Sequence, residues 1–449
     1  MMKKIVITML SVLLAPMVVR AGNMRLTADD AVALAMKNNR LVRISTLRAE
    51  SASARHDETV SAQMPTLQLQ AGYTKLSNIP ALSMSLPAPP PAPPNTWFST
   101  PLVLNIPDTY ALKANVQYPL FTGHALEGAE RAADYNAQAS EHDLSNDKSG
   151  LTFAVKNAYW GLYKAIRVKA VLDKNVEQIG RHLDDVKAMV EAGILLRDEQ
   201  LKAEVRLLNT RFSQKDAENN VRLAMMTLDN IIGLPLDAEI EPTSKLLPEN
   251  KPIRPLADYI GDAVNQRPDL KAALMRESAS GEAVLAAKGA YYPQVALFGD
   301  LNYLRPNPRI FPNVDQFDNT WDVGFGITYS LLDWGLVKNR VRQAEAAQSQ
   351  AEFETEQLKD NLALDVNQSY LFLRQAGDRI SVARQGVEEA EESHRITKDR
   401  FGGGFATNTE VLDAEVALLQ AQLNYTVSIV DYEIADAKMR QSVGETQGN

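Results

Sequence analysis

Residues 122–190 contain no proline, and the first obvious break is Gly193 just beyond them. Stepping alternately by four and three from Leu151 gives Val155, Ala158, Leu162, Ala165, Lys169, Leu172, Val176, Ile179, Leu183, Val186 and Val190. This is an a/d heptad seam with one polar interruption, and such a seam requires a partner helix. At about 1.5 Å per residue, roughly 70 helical residues make a rod on the order of 100 Å. Globular helices run three or four turns, so this rod belongs to another kind of architecture.

The rod is written twice. Adding 211 to each number gives a second seam, Leu362, Val366, Ser369, Leu373, Ala376, Ile380, Ala383, Val387, Ala390, His394, Thr397 and Phe401. Tyr118/Tyr329, Tyr159/Tyr370, Gly193/Gly404, Glu204/Glu415 and Gly233/Gly444 are identical at the same offset. One offset held over this span marks a duplication.

Ahead of each rod, a helix (41–62 and 268–290, offset 228) stops at a proline, Pro65 or Pro293, that opens a strand. Leu67, Leu69, Ala71 and Tyr73 alternate with polar residues; the returning strand carries Tyr110, Leu112, Ala114, Val116 and Tyr118. In the second half Val295, Leu297, Leu301 and Tyr303 are answered by Trp321, Val323, Phe325, Ile327 and Tyr329. An apolar face bracketed by aromatics, opposite a polar or glycine face, is the pattern of a lipid-facing barrel strand. A half-buried strand of a soluble sandwich also alternates. Four such strands joined directly to very long helices favour lipid. Between the first two strands, the proline run 87–94 predicts extended polyproline II in an exposed loop.

After each rod, Gly193 or Gly404 turns the chain into a return helix. Leu201, Val205, Leu208 and Phe212, matched by Leu412, Val416, Leu419 and Leu423, continue the seam. The expected organisation is a leader at 1–21 and a first repeat at 22–233. That repeat has strands at about 65–76 and 109–121, a long helix at about 122–192 and a return helix at about 197–232. A proline-rich irregular linker follows at 234–256. The second repeat, 257–449, has strands at about 293–304 and 320–332, a long helix at about 335–402 and a return helix at about 409–443.

Lys3, Lys4, the apolar run 5–19 and Val19-Arg20-Ala21 read as a cleaved secretory signal. No other run is apolar enough for a transmembrane helix, so any crossing must use strands. The chain has no cysteine, hence no thiolate chemistry and no lipid-bearing lipoprotein cysteine. Its net charge of −9 argues against nucleic acid as a partner. The five histidines show no metal-ligand spacing, Gly402-Gly-Gly404 is followed by no Lys-Ser/Thr, and no cofactor motif or nucleophile–base grouping appears.

Four strands cannot close a barrel, and open sheet edges are not tolerated in hydrocarbon. Several copies must therefore share one barrel with a wet interior, from which the rods hang as a tube. The fold class expected is mostly α with a β-barrel part. A secreted coiled-coil scaffold with a small soluble β head is the alternative; an enzyme has no positive signal.

The junctions Tyr118-Pro-Leu-Phe-Thr-Gly123 and Tyr329-Ser-Leu-Leu-Asp-Trp-Gly335 resemble those of TolC-like outer-membrane efflux proteins. So do the Pro65 and Pro293 strand starts and the turn Gly404-Phe-Ala-Thr-Asn-Thr-Glu-Val-Leu-Asp-Ala414. Thr122 stands where many members have Asp. The resemblance implies a homotrimer with a twelve-stranded barrel in the outer membrane of a Gram-negative-type bacterium and a helical tunnel across the periplasm. It also implies docking to a periplasmic adaptor (membrane fusion protein) and an inner-membrane transporter, in efflux or type I secretion. By the same resemblance Glu410 and Asp413, three apart on one helix face, line the tunnel constriction as a ring of carboxylates, and Phe401, with Lys398 and Arg400, lies near the gate. Most surface acids merely solvate a helix. The turns Gly193, Ile194, Leu195 and Gly404, Phe405, Ala406 expose apolar residues suited either to an adaptor or to packing between hairpins.

Overall fold

A computed structural model describes residues 24–77, 82–102, 106–244, 246, 252–311 and 313–445; the expected leader at 1–21 lies outside them. In chain order the first half holds β1 (Met24–Leu26), α1 (Ala28–Asn38), α2 (Arg40–Ser61), β2 (Thr66–Lys75), β3 (Leu82–Pro87), β4 (Trp97–Leu102), β5 (Asp108–Phe121), α3 (Ala125–Glu191) and α4 (Arg197–Ile232). Then come β6 (Ile240–Pro242), α5 (Leu256–Gln266), α6 (Pro268–Lys288), β7 (Gln294–Arg305), β8 (Asp318–Thr328), α7 (Leu336–Gly402) and α8 (Asn408–Ser442). The chain forms two compact units, one of Ser45–Leu144 with Pro268–Lys359, the other of Met1–Ile44, Ser145–Arg267 and Asp360–Asn449.

The first unit carries a four-stranded antiparallel sheet in the order β2-β5-β7-β8. Its register assembles the apolar alternation into rows: Leu67, Val116, Gly299 and Val323; Leu69, Ala114, Leu301 and Trp321; Tyr118, Leu297 and Phe325. The opposite face carries the row Gln68, Asn115, Asp300 and Asp322, and the row Gln70, Lys113, Asn302 and Thr320. Phe298 interrupts that polar face with its ring lying on Gly324, where a Cβ would come within 2.8 Å of it.

Three expectations need correction here. The proline run is a mostly exposed loop, but it does not link β2 to β5 directly: it closes a second hairpin, β3 with β4, in which Pro87 pairs with Trp97. The last strand ends at Thr328, not near 332, because its partner β7 begins at Gln294 and Pro293 before it has no N–H to give. The long helix starts at Ala125, not Thr122, because Gly123 and His124 both take positive φ, +65° and +67°. The repeat makes the same bend with the glycine second, Trp334 at +54° and Gly335 at +83°. Only glycine fits the first position of the earlier bend, since a Cβ there would meet the Gly289 carbonyl oxygen at 2.4 Å. Asp333 caps α7 through Gly335 and Val337 N–H groups at 2.9 and 2.8 Å, whereas Thr122 accepts from Leu126 N–H at 3.3 Å. Beyond the bend α6 lies against α3 at Gly128, where a methyl would strike the Ala286 backbone nitrogen at 2.8 Å. Arg131–Glu282 (2.8 Å) and Arg276–Asp143 flank that contact.

In the second unit the heptad seam is the buried stripe of α3: Leu151, Val155, Leu162, Leu172, Ile179, Leu183 and Val186 are all buried. Lys169, its polar interruption, pairs with Asp173 at 2.6 Å, and Asp173 accepts from Gln214 of α4 at 2.7 Å. The second seam is buried from Leu362 to Ile380, half-buried from Ala383 to Thr397 and buried again at Phe401. The return helix reverses expectation. Leu201, Val205, Leu208 and Phe212 are 48, 57, 62 and 71% exposed, while Gln200, Ala203, Leu207, Thr210 and Ala217 are buried. Two residues turn a helix by about 200°, so α4 carries two stripes on opposite sides, and the spacing could not say which one meets α3. On α8, Leu412 is buried but Val416 is exposed; Val411, Glu415 and Leu418 point inward.

The expected irregular linker is built in part. β6 pairs in parallel with β1, and Tyr159, fully buried, donates from its hydroxyl to Leu26 O or Ser244 Oγ, each 2.9 Å away. Helix α5 repeats α1 at the 228 offset. In the same core the Asp229 side chain is fully buried, with neither carboxylate oxygen hydrogen-bonded. Burial, with Asp237 adding to it, raises its pKa to about 6. A carboxyl holding its proton more tightly folded than unfolded stabilises the fold below about pH 4, and this contribution is lost as pH rises through about 6. Thermal melts of wild type and Asp229→Asn at several pH values should therefore differ by an amount that changes across this window. Parallel curves would mean Asp229 is solvated.

Candidate functional site

Both hairpin tips fold alike. Ile194 N–H donates to Met189 O at 2.8 Å, and Phe405 N–H donates to Arg400 O at 2.8 Å. The Arg400 guanidinium in turn donates to Phe405 O at 2.9 Å. Within each turn the apolar residues divide by face. Ile194 and Phe405 are 71 and 79% exposed. Leu195 and Ala406 pack inward with Val186, Met189, Val190, Phe401 and Val411, which joins one hairpin to the other. Phe401 is buried in that cluster with its ring 5.4 Å from His182.

Helix α8 begins with a capping box. Thr407 Oγ1 accepts from Glu410 N–H at 3.3 Å, and Glu410 Oε2 accepts from Thr407 N–H at 2.7 Å and its hydroxyl at 3.0 Å. The Thr407 backbone bond, then its hydroxyl, hold the Glu410 carboxyl below the usual range. Its oxygens remain exposed beside the helix end, and Asp413 is exposed one turn on. The repeat partner of Glu410 plays a different part. Glu199 takes Lys202 Nζ at 2.6 Å and Asn408 Nδ2 at 3.0 Å, and these two bonds, Lys202 foremost, lower its pKa.

Asn408 is the residue that sequence reasoning missed. It is buried; its amide also donates to Glu199 O at 3.1 Å, and its Oδ1 lies 2.7 Å from His182 Nε2. One side chain thus clasps α3, the start of α4 and the start of α8. Its repeat partner is Arg197, so the duplication gave no hint, and its partners lie 209 and 226 residues away. Two turns further along α8, buried Glu415 faces His394 at 3.9 Å.

In the sheet, Leu67, Leu69, Tyr110, Leu112, Val116, Leu297, Trp321, Val323, Phe325 and Ile327 are exposed on one face; Val295 on that face is half-buried. Among the described residues no helix is long and apolar enough to cross a membrane, and no group of three or more His, Cys, Asp or Glu could hold a metal ion.

A sheet with an exposed apolar face, and long helices turned back in pairs at tight glycine turns, define the outer-membrane channel class. The chain belongs to the family described as Outer membrane efflux protein, which it matches over residues 31–234 and 259–445. It is 22% identical over 334 residues to the outer membrane efflux protein BepC of Brucella suis, covering 73% of this chain and 71% of that one. It is 23% identical over 323 residues to Toxin and drug export protein A of Aggregatibacter actinomycetemcomitans, covering 69% and 68%. The crystal structure of the outer membrane protein VceC from Vibrio cholerae superposes with a TM-score of 0.76 at 18% identity, covering 93% and 96%.

Replacing Asn408 by Ala leaves His182 and Glu199 without this partner, a loss of about 1–3 kcal/mol for a buried polar group. Hydrogen exchange should quicken at 193–200 and 404–411 while 151–165 is unchanged. Equal protection throughout would show that the clasp carries no stability.

Proposed function

We propose that this chain is one third of an outer-membrane exit channel, a passive duct for efflux or type I secretion. The observation that carries the reading is the four-stranded sheet whose outer strands, β2 and β8, have no neighbour on one side among the described residues, and whose apolar face is exposed across every strand. In hydrocarbon each open edge must find a strand, and the family resemblance implies three copies and twelve strands. The second, exposed stripe of α4 supports assembly as well, since Leu201, Val205, Leu208 and Phe212 are left uncovered by the described residues. The polar rows then line a wet lumen.

At the tips, Ile194, Leu196 and Phe405 are exposed apolar residues available to a periplasmic adaptor, and Leu195 and Ala406 hold the two hairpins together. Glu410 and Asp413 from three copies form a ring of carboxylates that meets cations at the constriction. Energy comes from an inner-membrane transporter, and opening loosens the hairpins against each other.

Three measurements test this. Wild type should resist alkali and urea extraction from membranes and yield to detergent; release by alkali favours a soluble scaffold. Phe325→Arg should impair assembly, at about 2–4 kcal/mol per chain for a charge near mid-membrane; normal assembly would overturn the assignment of that face. In planar bilayers, Glu410→Gln with Asp413→Asn keeps an acceptor at the helix cap and should weaken divalent-cation block. Undiminished block would remove both residues from the constriction.

A further inference from the structure

The loop between β7 and β8 lies at the end of the sheet where β7 finishes and β8 begins, and it straddles both faces. On the apolar side Phe317 stacks on Tyr303 with centroids 5.0 Å apart and reaches Tyr110 at 5.9 Å, while Arg305 is held by Asp315 at 2.8 and 3.1 Å. On the polar side Asn307, buried, donates to Asp318 O and Thr320 Oγ1, both at 3.2 Å, and its own Oδ1 accepts from Arg309 N–H at 3.0 Å. Arg309 then makes an ion pair with Asp322 at 2.7 Å.

That last contact fixes the direction of the loop. Asp322 is four residues into β8, about 14 Å along the strand at the usual rise. An arginine side chain cannot span that distance from the sheet end, so the backbone at 307–309 must fold down over the polar face. The electrostatics give a reason. Asp300 and Asp322 are directly opposite in register, and like charges so placed repel. Asn115 relieves Asp300 by donating to its Oδ1 at 2.8 Å, and Arg309 supplies the positive charge for Asp322.

We propose that the Arg309 segment is a charge-paired strap over the outer mouth of the lumen. It forms a second selectivity element, separate from the helix tips, in which three Arg309 side chains offset three Asp300/Asp322 pairs. The inference rests on reading the polar sheet face as the lumen wall. With the strap in place the mouth is narrowed and three of its six carboxylate charges are offset. With Arg309 removed, six carboxylates line one level of the barrel and draw small cations.

The test uses the full-length channel in planar bilayers under a KCl gradient, with Glu410→Gln and Asp413→Asn present throughout so that the tip charges do not dominate. Arg309→Gln should raise conductance and shift the potassium-to-chloride permeability ratio toward potassium by about threefold, as expected for unmasked acid rings. Asp322→Asn should shift it toward chloride, and the double variant should return toward the starting value. Because the chain has no cysteine, Arg309→Cys offers a single thiol. A bulky membrane-impermeant thiol reagent added from the outer side should block the current. Channels of ordinary conductance whose selectivity ignores all three charge changes, and which the reagent does not block, would overturn the strap while leaving the channel reading intact. Absence of channels in the starting protein would instead strike the channel reading.

Discussion

Backbone hydrogen bonding at the margins of one small sheet governs the behaviour of this protein. β2 and β8 each present a row of N–H and C=O groups that no strand among the described residues satisfies. Water can satisfy such an edge, but hydrocarbon cannot. Because the exposed face of the same sheet is apolar from Leu67 across to Val323, the chain is unsuited to stand alone in either solvent. The tendency toward edge-to-edge pairing therefore arises from strand chemistry before any helix is considered.

The helices inherit that incompleteness. α3 has one buried stripe and is served by α4, but α4 has two stripes and finds a partner for only one. The strand-to-helix bends pass the sheet's geometry on to the rods. Two consecutive residues in the left-handed region reverse direction sharply, and both repeats spend a glycine there, in opposite order. Close approach then takes over at Gly128, where backbone touches backbone and leaves no room for a side chain.

Duplication supplied two similar tips, and divergence made them complementary. Glu410 closes its own helix, whereas Glu199 reaches across to Asn408 of the other hairpin. The buried chain from His182 through Asn408 to Glu199 gives the joint between hairpins a polar, geometrically specific contact beside the apolar cluster around Phe401. Hydrogen bonds of this kind break as units, in contrast to apolar packing, which slides. A joint that combines both is suited to two discrete arrangements.

The amino-acid order alone determined the rods, the duplication, the strand starts at Pro65 and Pro293 and the alternation of faces, because period, proline and glycine act through local backbone sterics. It also determined the family, through junction and turn residues close together in the chain. Tertiary structure decided which stripe of α4 meets α3, where Phe401 lies, that Leu195 turns inward while Ile194 turns out, and that Arg309 reaches back to Asp322. Each of these depends on partners far away in sequence. Seam spacing repeats identically on opposite sides of a helix, and a polar residue such as Asn408 bears no mark of the groups it will join until the chain has folded around it.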